Sequence, residues 1–549
     1  MRASWTRFGM VAGLAVAATG LARGEGPGNG NRAVPFVWMS GGSIARIEQF
    51  VQAAGVNEGV SLQDTFEKIP FLRVGGIRTD LPFGMINLAG DRIPSSWTTT
   101  MIYPVQDPTL ALEECRSHGG LSLPGAPDLI KFSSGLMVRG TGTYIAMRKG
   151  VPGALQNLSD APFGHAYEKD SGLLAMVDTD FASARSIAPK AYGQFFETMS
   201  MGALSKLNGN AAHDAGVHLG EEYVVGFLKS LDHAHLSASA TATGLRVLGT
   251  MDPVGISGKR SFRRAHFPQG VFAEIDFAYP DNASAQWLSA FYDQVPEEIW
   301  SMGTARTLQG PADAKRGFVQ LCQVVAGPDG QSLGVMKRNG HTILCMVNQY
   351  AEEVHPLNKL SAAVARMNAA GDEQGVGAMI KTQTYKTTDG RDVTRFVLPM
   401  KKAEPLNLDA IEDGKTLFVT LSTLPDHDVE GLSLGGEKET FSALCSGSVD
   451  VGAAMAADDE SDPDSASSVP WAGAMDAARH AMLKLVKGEK ISWSVQTAEG
   501  HRLAFGIEVP MAVIRAGYQS RQPATVANGK TPGRSTVKPV RTGIVQFDQ

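Results

Sequence analysis

Cysteine is scarce, with four residues (Cys115, Cys322, Cys345 and Cys445) in a chain of 549. That excludes a scaffold stapled by disulfides. No apolar run reaches the roughly 20 residues that a helix needs to cross a bilayer. Neither sign of charge dominates: 50 Lys and Arg stand against 56 Asp and Glu, a formal net charge of -6. Nothing in that balance draws the chain toward nucleic acid. The chain also lacks an HExxH helix, a CxxC pair, a P-loop and a dinucleotide fingerprint. No cofactor is implied by any motif.

What remains is material for a globular fold. Apolar residues make up 43% of the chain, enough for a sizeable core, and 61 glycines argue against a coiled coil or an α-solenoid. At roughly 100–200 residues per domain, the length allows three or four domains or two large ones. Residues 1–24 have the make-up of a secretory signal peptide. Arg2 and Arg7 precede an apolar run from Phe8 to Leu21, and small residues follow at Gly20-Leu21-Ala22 and Ala22-Arg23-Gly24. The expectation is an exported protein, periplasmic or extracellular. Export permits disulfides, and Cys322 and Cys345 lie in neighbouring apolar runs. The reading preferred for all four cysteines is a buried thiol acting as a small hydrophobe.

After a flexible leader (25–34), turn and cap residues divide the chain. Ser43 and Ser61 are placed to cap helices, and Asp107-Pro108 opens another that runs to about His118. Hairpins are expected around Gly140-Thr141-Gly142, Asp389-Gly390 and Glu499-Gly500. Helical stripes carry Tyr192, Phe196 and Met199, then Leu360, Val364 and Met367. Residues 219–231 and 472–487 read as two further helices. Residues 234–243 alternate without a break: Ala234, Leu236, Ala238 and Ala240 point one way, His235, Ser237 and Ser239 the other.

Two echoes suggest internal repetition. LSASATATGLRVLGT (236–250) parallels ISWSVQTAEGHRLAFG (491–506), matching Ser237 with Ser492 and Arg246 with Arg502. RGTGTYIAM (139–147) parallels RNGHTILCM (338–346). The fold expected is α+β, with antiparallel sheets backed by helices in two related halves, 35–255 and 271–515. A basic linker (256–270) joins them. An acidic insert (446–469) and a basic tail (516–549) read as disordered.

Candidate sites are few. His233 and His235 share one side of a strand and are weak metal-ligand candidates, lacking a third ligand in the sequence. Asp426-His427-Asp428 is a histidine between acids with no nucleophile to serve. Lys259, Arg260, Arg263 and Arg264 form a local basic patch suited to an anion or a lipid headgroup. No catalytic residues are assigned, and Cys445 has no cationic neighbour to activate it.

Several segments carry a resemblance: VWMSGGSIARIEQFVQAAG (37–55), DLPFGMINL (80–88), MIYPVQDPTLAL (101–112), TYIAMRKGVPGAL (143–155), GLLAMVDTDF (172–181), LSASATA (236–242) and FAEIDFAY (272–279). Their order resembles a loosely defined family of large exported proteins from planctomycete-type bacteria. The resemblance implies an exported protein with repeated sheet-and-helix units, and it brings no assigned activity or site. The function expected is non-catalytic: an envelope protein binding a peptide, lipid or protein partner on curved antiparallel sheets. The alternative is a periplasmic hydrolase with a His/carboxylate site. Intact-mass analysis of the native protein should find a new N-terminus between about residues 21 and 26. A mature chain that still begins at Met1 would refute export by this segment.

Overall fold

The computed structural model describes residues 33–55, 61–90, 98–149, 172–187, 189–205, 231–252, 261–278, 329–352, 354–372, 380–399, 404–424, 431–437, 439–441, 443–459, 483–498 and 502–519, with isolated positions between them. The signal segment, Cys322, Lys259, Arg260 and His427 lie outside these residues, as do half of 219–230 and all of 472–482.

Among the described residues, twenty strands form one sheet. The first ten are β1 (Ala33–Ser43), β2 (Pro82–Gly90), β3 (Thr98–Pro104), β4 (Leu121–Leu123), β5 (Ala126–Lys131), β6 (Leu136–Thr141), β7 (Tyr144–Lys149), β8 (Leu173–Asp180), β9 (His233–Ala240) and β10 (Gly244–Asp252). The second ten are β11 (Val271–Ala278), β12 (Gly330–Arg338), β13 (His341–Gln349), β14 (Lys381–Lys386), β15 (Asp392–Leu398), β16 (Leu406–Asp413), β17 (Thr416–Ser422), β18 (Cys445–Asp450), β19 (Lys490–Ala498) and β20 (Arg502–Pro510). Helices α1 (Ile44–Ala53), α2 (Leu62–Phe66) and α3 (Pro70–Gly75) follow β1, and α4 (Pro108–Ser117) follows β3. Helices α5 (Phe181–Ile187) and α6 (Pro189–Leu204) follow β8, α7 (Pro356–Asp372) follows β13, α8 (Val451–Asp459) follows β18, and α9 (Met511–Gln519) follows β20.

Local chemistry accounts for these starts and stops. The Ser43 hydroxyl accepts from the Arg46 N–H at the head of α1. Asp107 accepts from Thr109 and Leu110, and Pro108 at the first helical position gives up no needed donor. Leu360, Val364 and Met367 bury the inner stripe of α7. In the β6–β7 and β16–β17 hairpins the turns need a left-handed residue, and Gly142 (φ 56) and Gly414 (φ 57) supply it.

The spatial order runs β4-β5-β6-β7-β3-β2-β1-β8-β9-β10, crosses to β20, and continues β19-β18-β11-β12-β13-β17-β16-β15-β14. Every pairing is antiparallel. The second ten strands repeat the order and every pairing of the first ten. Even an irregularity recurs. The β1–β2 register slips by one residue between Pro35 and Val37, and the β11–β12 register slips between Val271 and Ala273.

Side chains alternate between two faces of this sheet. On one face α5 and α6 bury Phe181, Tyr192 and Phe196 against Met39, Val177, Ala234 and Met251. Farther out on that face, α1, α3 and α4 cover Tyr103, Val138 and Ile145, and in the second half α7 covers Met346, Leu408 and Val419. An open sheet this wide curls, and its two ends have cores on the opposite face. One holds Ile86, Ile102, Met137 and Ala146 beneath Leu155. The other holds Ile343, Cys345, Val347 and Phe418 beneath Val429 and Leu432.

The structure agrees with the expected α+β class, with antiparallel strands backed by helices, and changes several details. Residues 445–459 are not a solvated acidic segment. They form β18 and α8, because the serines of β18 pair with neighbours on both sides and Asp450 caps α8 through the Ala453 N–H. Residues 516–519 belong to α9, which packs on β10 and β20. The second echo joined unlike hairpins: by sheet order β6–β7 corresponds to β16–β17, whereas 338–346 belongs to β12–β13. The first echo found corresponding hairpins two residues out of register. Ser237 and Ser494, not Ser492, both flank the central pair of Leu248 and Gly506. An even slip keeps every residue on its own face, which is why the alternation was legible despite it. Trp493 is half-buried, its ring lying over Gly447 of the neighbouring strand.

Leu360 has no solvent exposure, whereas Leu121 at the sheet's edge is 74% exposed. Leu360→Ala should cost about 2–5 kcal/mol in denaturant unfolding, and Leu121→Ala should stay within about 0.5 kcal/mol.

Candidate functional site

Between the two curled ends, the face opposite the helices carries no core cluster among the described residues. Its middle spans β8, β9, β10, β20, β19 and β18, with β11 at the margin. The sequence builds it from alternation. Because Ala234, Leu236 and Ala238 turn to the helices, His233, His235, Ser237 and Ser239 must turn away. Register then sets whom they meet. Ser237 lies beside Met176 on one side and Leu248 on the other. Across the middle, Gly506 is followed by Ser494, Ser446 and Asp276. The adjacent row runs Ser239, Arg246, Glu508, Ser492, Ser448 and Glu274. Leu248, Thr250, Arg246 and Glu508 are exposed, so this floor meets solvent.

Ion pairs mark the floor. His235 Nδ1 lies 3.5 Å from Asp178 and His233 Nδ1 lies 3.8 Å from Asp180. The Arg246 guanidinium contacts Glu508 at 2.8 Å, and Arg502 Nε reaches Asp252 at 3.2 Å. At the margin Ser332 donates to Asp276 at 2.6 Å. Burial raises the Asp276 carboxyl above its ordinary value, against the lowering effect of that hydrogen bond and of Arg264.

The two histidines therefore face carboxylates pairwise. Among the described residues no three His, Cys, Asp or Glu side chains are grouped to hold a metal ion. Of the basic patch, Arg263 and Arg264 are described, and the segment carrying them is more than a linker. Residues 262–263 pair with 440–441 and residues 265–266 with 433–434. Phe262 lies against Gly330 and Phe267 against Gly334, positions on β12 with no side chain of their own. Arg263 Nε donates to the Gly435 carbonyl at 2.7 Å, while Gln349 hydrogen-bonds its backbone on both sides. Arg264 Nε stands 3.8 Å from Asp276. His266 meets Glu439 at 2.6 Å, and that contact, aided by the Gly436 N–H, lowers the Glu439 carboxyl below its usual value. The patch thus forms one rim of the floor.

Burial pushes the Cys115 and Cys345 thiols up to about 12, so both behave as small hydrophobes. Cys445 is half-buried and also raised by burial.

A second polar cluster lies inside the curled end of the second half. Asp409 is fully buried. The fork of Arg395 donates to both its oxygens at 2.7 Å, the Tyr385 hydroxyl donates at 2.8 Å, and the guanidinium lies 5.0 Å from the Tyr385 ring centre. These contacts tie β14, β15 and β16 together, leaving the cluster a structural one. Neither it nor the floor announces itself as a motif. The single sequence signal for the floor was the alternation of 234–243, and nothing local marked Asp178, Asp180 or Glu508 as its neighbours.

Compared with family models, with curated proteins and with solved structures, the chain matches none.

Arg395→Ala should cost about 3–5 kcal/mol, because it strands a buried carboxylate. Arg395→Met combined with Asp409→Leu should recover most of that loss in chemical denaturation.

Proposed function

We propose that this is an exported, non-catalytic binding protein of the bacterial envelope, and that its partner lies across the floor between the curled ends. The observation that carries this reading is the floor itself, a six-strand surface of half-buried serines beside the exposed Arg246–Glu508 pair. Small hydroxyls at positions 237, 494, 446 and 448 offer donors and acceptors without bulk, and an extended polypeptide or lipid headgroup can use both. The charge pairs at its borders suit orientation more than affinity. The signal-like N-terminus and the resemblance to exported planctomycete-type proteins support the location. Among the described residues no helix is long and apolar enough to cross a membrane.

The two halves read as an internal repeat, supported by their common strand order. Nucleic acid is not a suitable partner for a chain of this charge.

One observation favours the hydrolase alternative. His235 faces Asp178 as a base faces its orienting acid, with Ser237 next on the same side of β9.

The test is capture of envelope peptides, proteins and lipids on the immobilised full chain. Ser237→Trp and Ser494→Trp place bulk on the floor and should reduce capture at least tenfold, with thermal stability nearly unchanged. Retained capture by both variants would sink the proposed surface. His235→Ala should leave capture intact, and loss of a measured hydrolysis in that variant alone would favour the hydrolase instead.

A further inference from the structure

The two halves meet at β10 and β20, whose eight residue pairs run from Gly244 with Pro510 to Met251 with Leu503. Each strand ends the pairing order of its own half, so each would be a free edge without the other. We propose that this seam is a docking interface between two modules, and that each edge is shaped for the other half's edge and not for a copy of itself.

The argument rests on what faces what. Leu248 faces Gly506, and the two occupy corresponding places in their halves. A copy of β10 paired with itself about Leu248 would set Arg246 opposite Thr250 and Val247 opposite Gly249. A copy of β20 paired with itself about Gly506 would set Phe505 opposite Ile507 and Glu508 opposite Ala504. The observed pairing satisfies all four. Arg246 meets Glu508, and at the far end Arg502 meets Asp252. Phe505 lies over Gly249 so closely that a Cβ there would sit 2.1 Å from its ring. Self-pairing would leave a bare glycine beside a valine in one dimer and crowd a phenylalanine against an isoleucine in the other. This is discrimination by misfit as well as by attraction.

Contacts beyond the ladder agree. The Met511 N–H donates to the Thr243 carbonyl, and Arg515 Nε of α9 donates to the Ala53 carbonyl at the end of α1 at 2.6 Å. The second half's last helix thus closes the C-terminus of the first half's first helix.

The experiment uses the full-length chain with a protease site placed within residues 253–260, cut after folding. Native mass spectrometry and gel filtration at micromolar concentration should show one particle containing one copy of each fragment. Unfolding and refolding the cut protein should restore only that mixed pair. Fragments that part after cutting, or that refold into pairs of like fragments, would overturn the proposal. In the cut protein, Arg246→Glu sets two carboxylates face to face at an exposed position. It should weaken association on the order of tenfold, and adding Glu508→Arg should restore it. Gly249→Val should separate the cut fragments while the uncut variant keeps its circular dichroism. Failure of the charge reversal to rescue, or full association of cut Gly249→Val, would count against the seam.

Discussion

One strand pairing joins the two halves into a single sheet. Remove the hydrogen bonds between β10 and β20, and the twenty-stranded sheet becomes two ten-stranded ones, each with a long unpaired edge. Such edges are costly in water and prone to unwanted pairing. Their joining also makes the floor. Ser237 and Ser494 belong to different halves, and they share a row only because Leu248 faces Gly506. The proposed binding surface is therefore a product of the seam and of neither half alone.

The covering elements follow from the same plan. Helices lie on one face, and on the other Leu155, from between β7 and β8, joins one end core while Val429 and Leu432, from between β17 and β18, join the other. In the second half the segment 262–267 adds its own cover, held by two phenylalanines over two glycines. The first half places Arg148 inside its curl, where burial lowers the guanidinium to about 10. Equivalent places thus carry different chemistry on a shared frame.

Much of that frame was legible in the sequence, and the limits are instructive. Ser43, Ser61 and Asp107 announced their helices because a cap is a local contact. The stripes of α6 and α7 and the alternation of β9 were plain because periodicity is local too. The strand 406–413 was missed: Asn407 and Asp409 interrupt its apolar run, and both are buried by neighbours far along the chain. The strand 445–450 was missed because Ser446, Gly447 and Ser448 have low strand preference, which pairing on both sides overrides. The floor needed cross-strand register, and register between β10 and β20 depends on residues some 260 positions apart.

The outer strands β4 and β14 hold corresponding places, so the sheet ends in two edges of one kind. A ribbon with two such ends would extend by adding copies end to end, since a contact that does not close on itself grows into a fibre. β4 spans only Leu121–Leu123, too short to template much pairing. β14 is longer, and its two ends are Lys381 and Lys386, both exposed. A copy arriving there in the antiparallel sense would bring lysine against lysine. Like charges set together at both ends of that edge disfavour its growth.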